Sequence, residues 1–224
     1  MIEIIYEKYL KQCTSKVYIE AGAVDGIQQS NTKYLNDLDW TGILVEPNPH
    51  SFNLLAQNRD RAFIANSALV SNDYPEKYIK GFFNSNIGIK RWTGQSEKLL
   101  WRNKQEKLAW TKQYENAMCG QIKSNHNYDQ KRFHSDENLI SVPARSIDSI
   151  LEEVKITDVD FFSLDVEGYE AEALKGWDPE KHKIKYILME LADNSNKSTK
   201  ILLDYGYAPV ELFRSGDALY KKIN

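Results

Sequence analysis

The feature of this sequence that most constrains its fold is an alternation between short apolar runs and segments of helical character. Apolar runs at residues 17–22, 42–46 and 62–65 are separated by helical segments near 32–37 and 51–58. Strands that alternate with helices across such short connections form a parallel sheet with right-handed crossovers. We therefore expect an α/β fold whose first three strands lie in the N-terminal third of the chain.

The same alternation returns in the C-terminal third. Apolar or β-prone runs predict four more strands, at residues 160–164, 185–189, 208–213 and 218–223. Helices are expected near 169–175 and 197–205, each ended by a glycine. The last two runs are joined by Arg-Ser-Gly-Asp, which predicts an antiparallel hairpin. At the N-terminus, apolar residues at helical spacing within residues 1–12 predict a short amphipathic helix.

A polar segment at about residues 84–138 separates these two parts of the chain. It is rich in Lys, Asn and Gln and contains three of the five tryptophans. After it, residues 141–154 return to the pattern of a strand entry followed by a helix. We therefore expect one domain, residues 1–224, with an inserted segment that faces the substrate. The tryptophans either pin this insertion to the sheet or form an aromatic wall for a sugar ring.

Composition narrows the class of protein. The net charge of -3 lacks the basic excess typical of domains whose main partner is nucleic acid. The two cysteines, Cys13 and Cys119, are far apart and have no metal-ligand spacing. No run approaches the roughly 20 apolar residues of a membrane helix, and residues 1–12 lack the apolar core of a secretory signal. We expect a cytoplasmic protein without a membrane span; the sequence does not indicate its oligomeric state.

Four acidic residues stand at the carboxyl ends of predicted strands. They are Glu20, Glu46, Asp165 and Glu190, at the ends of the first, second, fourth and fifth strands. Ligands of open α/β sheets bind at this edge. Acidic side chains at a strand end are often only solvated, but four at one edge favour a binding or catalytic site.

The turn after the first strand predicts a nucleoside site. Gly22 and Gly26 flank this turn, and they do not complete the Gly-x-Gly-x-x-Gly fingerprint of pyrophosphate binding. Glu46 lies twenty residues beyond Gly26, the approximate offset of an acid that binds ribose hydroxyls. S-adenosylmethionine fits these features, since it has a ribose for Glu46 and an amine and a sulfonium for acids near the first turn, such as Asp25.

Ser30, Asn31 and Thr32 precede the first predicted helix of the sheet. Their hydroxyl and amide groups, with the helix N-terminus, are suited to the carboxylate of a bound methionine moiety. The same residue types are common helix caps. Both interpretations remain open from the sequence.

Six segments of the chain, taken in order, resemble one known family. They read YIEAGAVDGIQQSNT, GILVEPNP, ANSALVS, VPARSIDSIL, SLDVEGYEAEALKGW and YILMEL. Their order and spacing are similar to those of the FkbM family of methyltransferases, over about residues 17–80 and 140–223. The segment from Asp165 to Gly176 and the EPNP turn are the most specific parts of the resemblance.

The resemblance implies a Rossmann-like class I methyltransferase sheet of seven mostly parallel strands with a C-terminal antiparallel hairpin. It implies S-adenosylmethionine as the methyl donor and a hydroxyl of a sugar or glycan as the acceptor. Glu20, Gly22 and Ala23 would line the methionine moiety, and Glu46 would hold the ribose next to the turn of Pro47 and Asn48. By the same resemblance the adenine would be bordered by Asn66, Ser67 and Ala68.

The resemblance also places Asp165 near the transferring methyl group. Glu167 and Glu190 are further candidates for the base that removes the acceptor's proton. Alternatively Asp165 and Glu190 share a Mg²⁺ ion that lowers the acceptor's pKa, or Glu167 and Glu190 only bind backbone amides or a lysine.

The four histidines divide into two pairs. His134, in the insertion, is a candidate general base, and His126 is a weaker one. His50 and His182 are expected at the surface. A lone histidine in a loop is more often without a catalytic role, so the carboxylates remain the first candidates.

Several functions compete with methylation of a sugar hydroxyl. A methyltransferase acting on a non-sugar small molecule and a non-catalytic nucleoside-binding scaffold both fit the same motifs. An NAD-dependent oxidoreductase is disfavoured by the absent third glycine. A nucleic-acid methyltransferase is disfavoured because the EPNP run follows the second strand and no Pro-Cys nucleophile is present.

Overall fold

The computed structural model describes residues 1–82, 121–122, 139–191 and 195–223. The tryptophans of the predicted insertion, Cys119, His126 and the candidate base His134 lie outside the described residues. In chain order the described strands are β1 (Val17–Ala21), β2 (Thr41–Val45), β3 (Phe63–Ala65), β4 (Ala68–Leu69), β5 (Tyr78–Phe82), β6 (Gln121–Ile122), β7 (Leu139–Arg145), β8 (Asp158–Leu164), β9 (Lys183–Glu190), β10 (Tyr207–Leu212) and β11 (Asp217–Lys222).

The helices match most of the positions expected from the sequence. They are α1 (Ile2–Ile5), which continues as a π-helical turn over Tyr6–Leu10, then α2 (Lys33–Asp37), α3 (Pro49–Asn58), α4 (Ile147–Val154), α5 (Glu170–Leu174) and α6 (Ser195–Asp204). Among these described helices, none is long and apolar enough to cross a membrane.

Seven strands form the main sheet, in the order β10-β11-β9-β8-β1-β2-β3. The neighbours from β9 to β3 are parallel, whereas β11 is antiparallel to both β9 and β10. This arrangement confirms the predicted Rossmann-like sheet with its C-terminal antiparallel hairpin. The chain adds β2 and β3 on one side of β1 and β8 and β9 on the other, so the topological switch point lies between β1 and β8.

The central strands are apolar because both faces of the sheet are covered. Successive side chains of a strand point to opposite faces, so Ile19 and Phe162 pack in one core while Tyr18 and Phe161 pack in the other. The first core lies beneath α4, α5 and α6. The second includes residues of the N-terminal helical segment, which confirms the amphipathic helix expected there.

A second sheet, which the sequence analysis did not predict, flanks the insertion. Its order is β4-β7-β5-β6, with β5 antiparallel to both β7 and β6 and β4 parallel to β7. Ala68, Val70, Ile79 and Val142 form its small core. The insertion begins after β5 and ends before β7, and it contributes β6 to the same sheet.

One histidine lies where the sequence analysis did not expect it. His50 is exposed as predicted, but the prediction that His182 is a surface residue is wrong, because His182 is only 3% exposed. Its Nδ1 lies 2.7 Å from Oδ1 of Asp148 on α4, and its backbone oxygen accepts a 2.7 Å hydrogen bond from Trp177 Nε1. This buried network fixes the loop that precedes β9.

Candidate functional site

The carboxyl ends of β1, β2, β8 and β9 meet at one edge of the main sheet, where the four predicted acids lie. Glu46 and Asp165 directly follow β2 and β8, whereas Glu20 and Glu190 are among the last residues of β1 and β9. This edge includes the topological switch point, at which open α/β sheets bind ligands. The hydrogen-bond partners of each acid determine whether its carboxylate can still bind a ligand.

The turn after β1 is fixed between the ends of β2 and β8. The N–H groups of Gly22 and Ala23 donate to the carbonyl oxygen of Val45, over 3.0 and 3.3 Å. Gly22 has a φ of +80°, and a Cβ at this position would lie 1.9 Å from the carbonyl oxygen of Asp165. Only glycine fits this close approach, so the first turn and the Asp165 turn are packed directly against each other.

Glu46 is a buried carboxylate held by two backbone donors. The N–H of Val24 donates to Oε2 and the N–H of Asn48 donates to Oε1, each over 2.8 Å. The residue is 6% exposed, and burial raises the pKa of its carboxyl to about 7 against the opposing effect of these hydrogen bonds. Each carboxylate oxygen accepts up to two hydrogen bonds, so Glu46 retains acceptor capacity for two hydroxyl groups.

Glu20 is engaged by protein groups instead. It accepts hydrogen bonds from the Asn31 N–H and the Thr32 hydroxyl, both over 2.7 Å, and from the Ser30 hydroxyl over 2.9 Å. Burial raises the pKa of Glu20, and these donors and Arg59 oppose that effect. The residues predicted to receive a methionine carboxylate are therefore bound to the end of β1.

One of the three residues before α2 contacts the start of that helix. The Ser30 hydroxyl accepts a 3.0 Å hydrogen bond from the N–H of Lys33, the first residue of α2. Thr32 occupies the N-cap position without a side-chain capping bond. The Asn31 amide donates to the hydroxyl of Ser163 on β8, over 3.1 Å, and so connects this segment to the adjacent strand.

Arg59, at the end of α3, is a functional candidate that the sequence analysis missed. It is 1% exposed, and its Nη2 donates to the hydroxyls of Thr32 and Tyr18 over 2.7 and 3.2 Å. Its Nη1 donates to the carbonyl oxygen of Gly26 over 2.7 Å. Arginine is seldom fully buried, and no sequence signal distinguishes this one from its exposed neighbours.

The other residues of the first and second turns stabilise local backbone. Asp25 accepts two hydrogen bonds of 2.9 Å from N–H groups within its own turn. Asn48 caps α3. The Asn66 amide donates to the carbonyl oxygens of Glu46 and Pro47, over 2.8 and 3.1 Å. These contacts hold the ends of β2 and β3 together around the Glu46 carboxylate.

Ser67 and Ala68 follow the end of β3. Ala68 is part of the small core of the second sheet. Ser67 is 1% exposed, and its hydroxyl has no hydrogen-bond partner in the part of the chain that the structure describes. A buried hydroxyl without a partner costs about 1–3 kcal/mol.

Asp165 and Glu190 form a carboxyl pair, joined by a side-chain hydrogen bond in which Glu190 accepts. Burial raises the pKa of Asp165, and the charges of Glu190 and Glu167 raise it further. Burial also raises the pKa of Glu190. Two adjacent carboxyl groups do not readily ionise together, so burial and mutual repulsion both disfavour the doubly ionised form of this pair.

Two further acids next to this pair were not predicted. Glu170 accepts from the N–H groups of Val166 and Gly168, over 3.2 and 3.0 Å, and so fixes the turn after β8. Asp217, the first residue of β11, lies opposite Glu190 in register. The signal for Asp217 was the predicted hairpin, because an antiparallel strand begins at the edge where its parallel neighbour ends.

The predicted Mg²⁺ ion has no support in this arrangement. Asp165 and Glu190 do lie together as predicted. Within residues 1–82, 121–122, 139–191 and 195–223, however, no group of three or more His, Cys, Asp or Glu side chains is placed to hold a metal ion.

Comparisons with known proteins identify the family. A solved structure of precorrin-6y C5,15-methyltransferase from Geobacter metallireducens GS-15 is similar at 12% sequence identity and a TM-score of 0.38, covering 92% of this chain and 80% of that one. The comparison with curated proteins found no match. Residues 20–209 match the family described as the methyltransferase FkbM domain. The predicted resemblance is thereby confirmed, and this chain belongs to the FkbM methyltransferase family.

Proposed function

We propose that this chain is an S-adenosylmethionine-dependent O-methyltransferase that methylates a hydroxyl group of a sugar or glycan. The observation that carries the proposal is the Glu46 carboxylate, buried at the switch-point edge with one backbone donor on each oxygen. A carboxylate with this remaining acceptor capacity is suited to the two adjacent hydroxyls of a ribose. Glu46 would bind the ribose there.

The neighbouring residues fit the other parts of the same ligand. Ser67, whose buried hydroxyl has no partner among the described residues, would meet a polar edge of the adenine, next to Asn66 and Ala68. The backbone of Gly22 and Ala23 would line the methionine moiety. Glu20 would act on that moiety indirectly, through its hydrogen bonds to the following loop.

The carboxyl pair is suited to the reacting end of the site. S-adenosylmethionine supplies a methyl group on a positively charged sulfur. The charge shared by Asp165 and Glu190, with Glu167 and Asp217 nearby, would favour a cation at this position.

We assign proton removal to the same pair. The acceptor hydroxyl would form a C–O bond to the methyl carbon as the S–C bond breaks, and its proton would pass to the Asp165–Glu190 pair and then to water. Glu167 is the second candidate for this proton. His134 lies in the insertion, outside the described residues, and stays a candidate on the sequence alone.

The chain would work as one domain, residues 1–224, with the insertion at 84–138 as its acceptor-facing part. The second sheet supports this assignment, since β5 and β7 border the insertion and β6, which lies within it, pairs with β5. The acceptor would be held by the insertion while the carboxyl ends of β1, β2 and β8 hold the donor.

The test is transfer of a labelled methyl group from S-adenosylmethionine to a panel of sugars, deoxysugars and glycans. We expect Asp165→Asn and Glu190→Gln to lower turnover by about 100-fold or more, as loss of a general base does, while adenosine affinity is retained. If Asp165→Asn turns over normally, the assignment of Asp165 is wrong. Donor binding without methylation of any panel member would favour a nucleoside-binding scaffold.

A further inference from the structure

The buried guanidinium of Arg59 is not used by the proposed binding contacts. It lies at the C-terminal end of α3 with 1% of the residue exposed. A charge taken out of water is costly unless it is paired and hydrogen-bonded. The nearest oppositely charged group is Glu20, whose Oε2 lies 3.8 Å from Arg59 Nη2. Because burying this charge is costly, we expect Arg59 to have a role that an apolar side chain would not fill.

Arg59 bonds to two separate points of the loop over residues 22–32, which we name the β1–α2 loop. Nη1 donates to the carbonyl oxygen of Gly26 and Nη2 donates to the hydroxyl of Thr32, each over 2.7 Å. A Cβ at Gly26 would lie 2.6 Å from Cγ of Arg59. Arg59 therefore fixes both the middle and the end of the loop to α3.

One residue of the β1–α2 loop, between β1 and Gly26, has a strained backbone conformation. Val24 has a φ of +49°, a left-handed conformation that is unfavourable for a β-branched side chain. Such a conformation persists only where surrounding contacts impose it. Here the Gly26 N–H donates to the Ala23 carbonyl oxygen over 2.8 Å, and Arg59 holds the Gly26 carbonyl oxygen. The result is that the Val24 N–H meets Glu46.

We propose that Arg59 is a positioning residue for nucleoside binding, which holds the β1–α2 loop so that the Val24 N–H stays on the Glu46 carboxylate. The inference rests on the proposed function, because it assigns the effect to the ribose end of that site. Without the guanidinium, Val24 relaxes toward an ordinary backbone conformation and Glu46 loses one of its two backbone donors.

This loss has a signature in the titration of Glu46. The groups that act on Glu46 are the backbone donors of Asn48 and Val24, which favour its charged form, and the charge of Glu20 on β1, which opposes it. A carboxylate that loses an N–H donor ionises at higher pH. The ionised Glu46 carboxylate is the better acceptor of ribose hydroxyls, so nucleoside affinity should rise with pH as Glu46 ionises. If Arg59 acts through the loop, its removal moves the midpoint of this rise to higher pH. If Arg59 only stabilises the fold, the midpoint does not move.

The experiment compares Arg59→Met, Arg59→Lys and Arg61→Met with the unaltered protein. Arg61 is the matched control, since it lies two residues away with its side chain 59% exposed and paired to Asp39. Calorimetry measures the affinity for adenosine and for adenosylhomocysteine between pH 5.5 and 9. We expect Arg59→Met to weaken both about tenfold and to raise the pH midpoint, as loss of a hydrogen bond to a charged group does.

Lysine at position 59 should restore part of the affinity, and Arg61→Met should change neither quantity. Should Arg59→Met fail to fold, Thr32→Val removes the hydroxyl between Arg59 and Glu20 and should show the same upward shift, of smaller size. A folded variant with unaltered affinity and midpoint overturns the inference alone. An unaltered protein that binds neither compound at any pH overturns the proposed function instead.

Discussion

What each carboxylate at the sheet edge can do is decided by the groups that already bind it. Glu46 has one backbone donor per oxygen and keeps acceptor capacity. Glu20 is engaged by three donors of the following loop, while Asp165 and Glu190 bind each other. One edge thus provides a hydroxyl acceptor, a structural anchor and a negatively charged pair.

Because the pKa of Glu46 is raised to about 7, we expect the proposed ribose binding to depend on pH. The ionised carboxylate is the better acceptor of two hydroxyls, so bound ribose favours the charged form. We expect adenosine affinity to rise as pH increases through about 7 and to level off above about 8. Glu46→Gln should lose this dependence and bind about 10–100-fold more weakly. Calorimetry with adenosine checks this, since adenosine lacks the cationic sulfur that would also respond to Asp165.

If Glu46→Gln keeps the pH dependence of the unaltered protein, another group is responsible for it. The free energy of unfolding should change with pH in the opposite direction to the affinity. The folded-state pKa of Glu46 is above its ordinary value, so the free energy of unfolding contributed by this group falls as pH rises from about 4.5 to 7.

Ser67→Ala removes a single oxygen atom, and its effects on nucleoside binding and on stability can be measured separately. The Ser67 hydroxyl is buried without a partner among the described residues, so its removal should leave the free energy of unfolding unchanged or raise it. If the adenine uses this hydroxyl, adenosine affinity should fall about 3- to 10-fold. Urea unfolding and calorimetry give the two quantities, with the exposed Ser141 as the Ser→Ala control. Equal adenosine affinity in both variants would remove Ser67 from the site.

At the scale of elements, the turns after β1 and β8 form one unit. Gly22→Ala would place a Cβ 1.9 Å from the Asp165 carbonyl oxygen at a φ of +80°. We expect it to destabilise the protein by about 3 kcal/mol, a fall in Tm of roughly 6–12 °C for a domain of this size. Gly216→Ala is the control, because Gly216 has a φ of +98° with no atom within 4 Å.

The control measures the conformational cost alone, expected to be about 1–2 kcal/mol. A Gly22→Ala protein no less stable than the Gly216→Ala protein would show that the two turns are not packed as described. Gly22→Ala should also weaken nucleoside binding, since the first turn and the Asp165 turn would have to separate.

The elements of the main sheet could be predicted because their signals are local. β1, β2 and β8 are apolar runs that end at a carboxylate, glycine or proline. β5 was missed because its sequence, YIKGF, is short and interrupted by lysine and glycine. Asp217 and Glu170 were missed because their roles depend on strand pairing and on a tight turn. His182 lies between two exposed lysines, a pattern typical of a surface loop, and its burial depends on Asp148 far away in sequence.

For the whole molecule, we expect a stabilising contact and the proposed binding site to lie at opposite ends of the sheet. The Asp148–His182 pair precedes β9 and so lies at the end of that strand opposite Glu190. We expect His182→Ala to lower the free energy of unfolding by about 1–3 kcal/mol. The variant removes one hydrogen-bond partner of the buried Asp148 carboxylate, which keeps the donors of Asn72 and of the Asp178 N–H. Adenosine affinity should be unaltered at temperatures where the variant is folded. A matching loss of affinity would contradict this separation.

The central claim is that the acidic edge of the main sheet binds S-adenosylmethionine through Glu46, and calorimetric titration with adenosylhomocysteine tests it most directly. The account predicts one binding site per chain for the unaltered protein, with about 10–100-fold weaker binding to Glu46→Gln and no change for Arg61→Met. It would be contradicted if the unaltered protein showed no binding, or if Glu46→Gln bound as tightly as the unaltered protein.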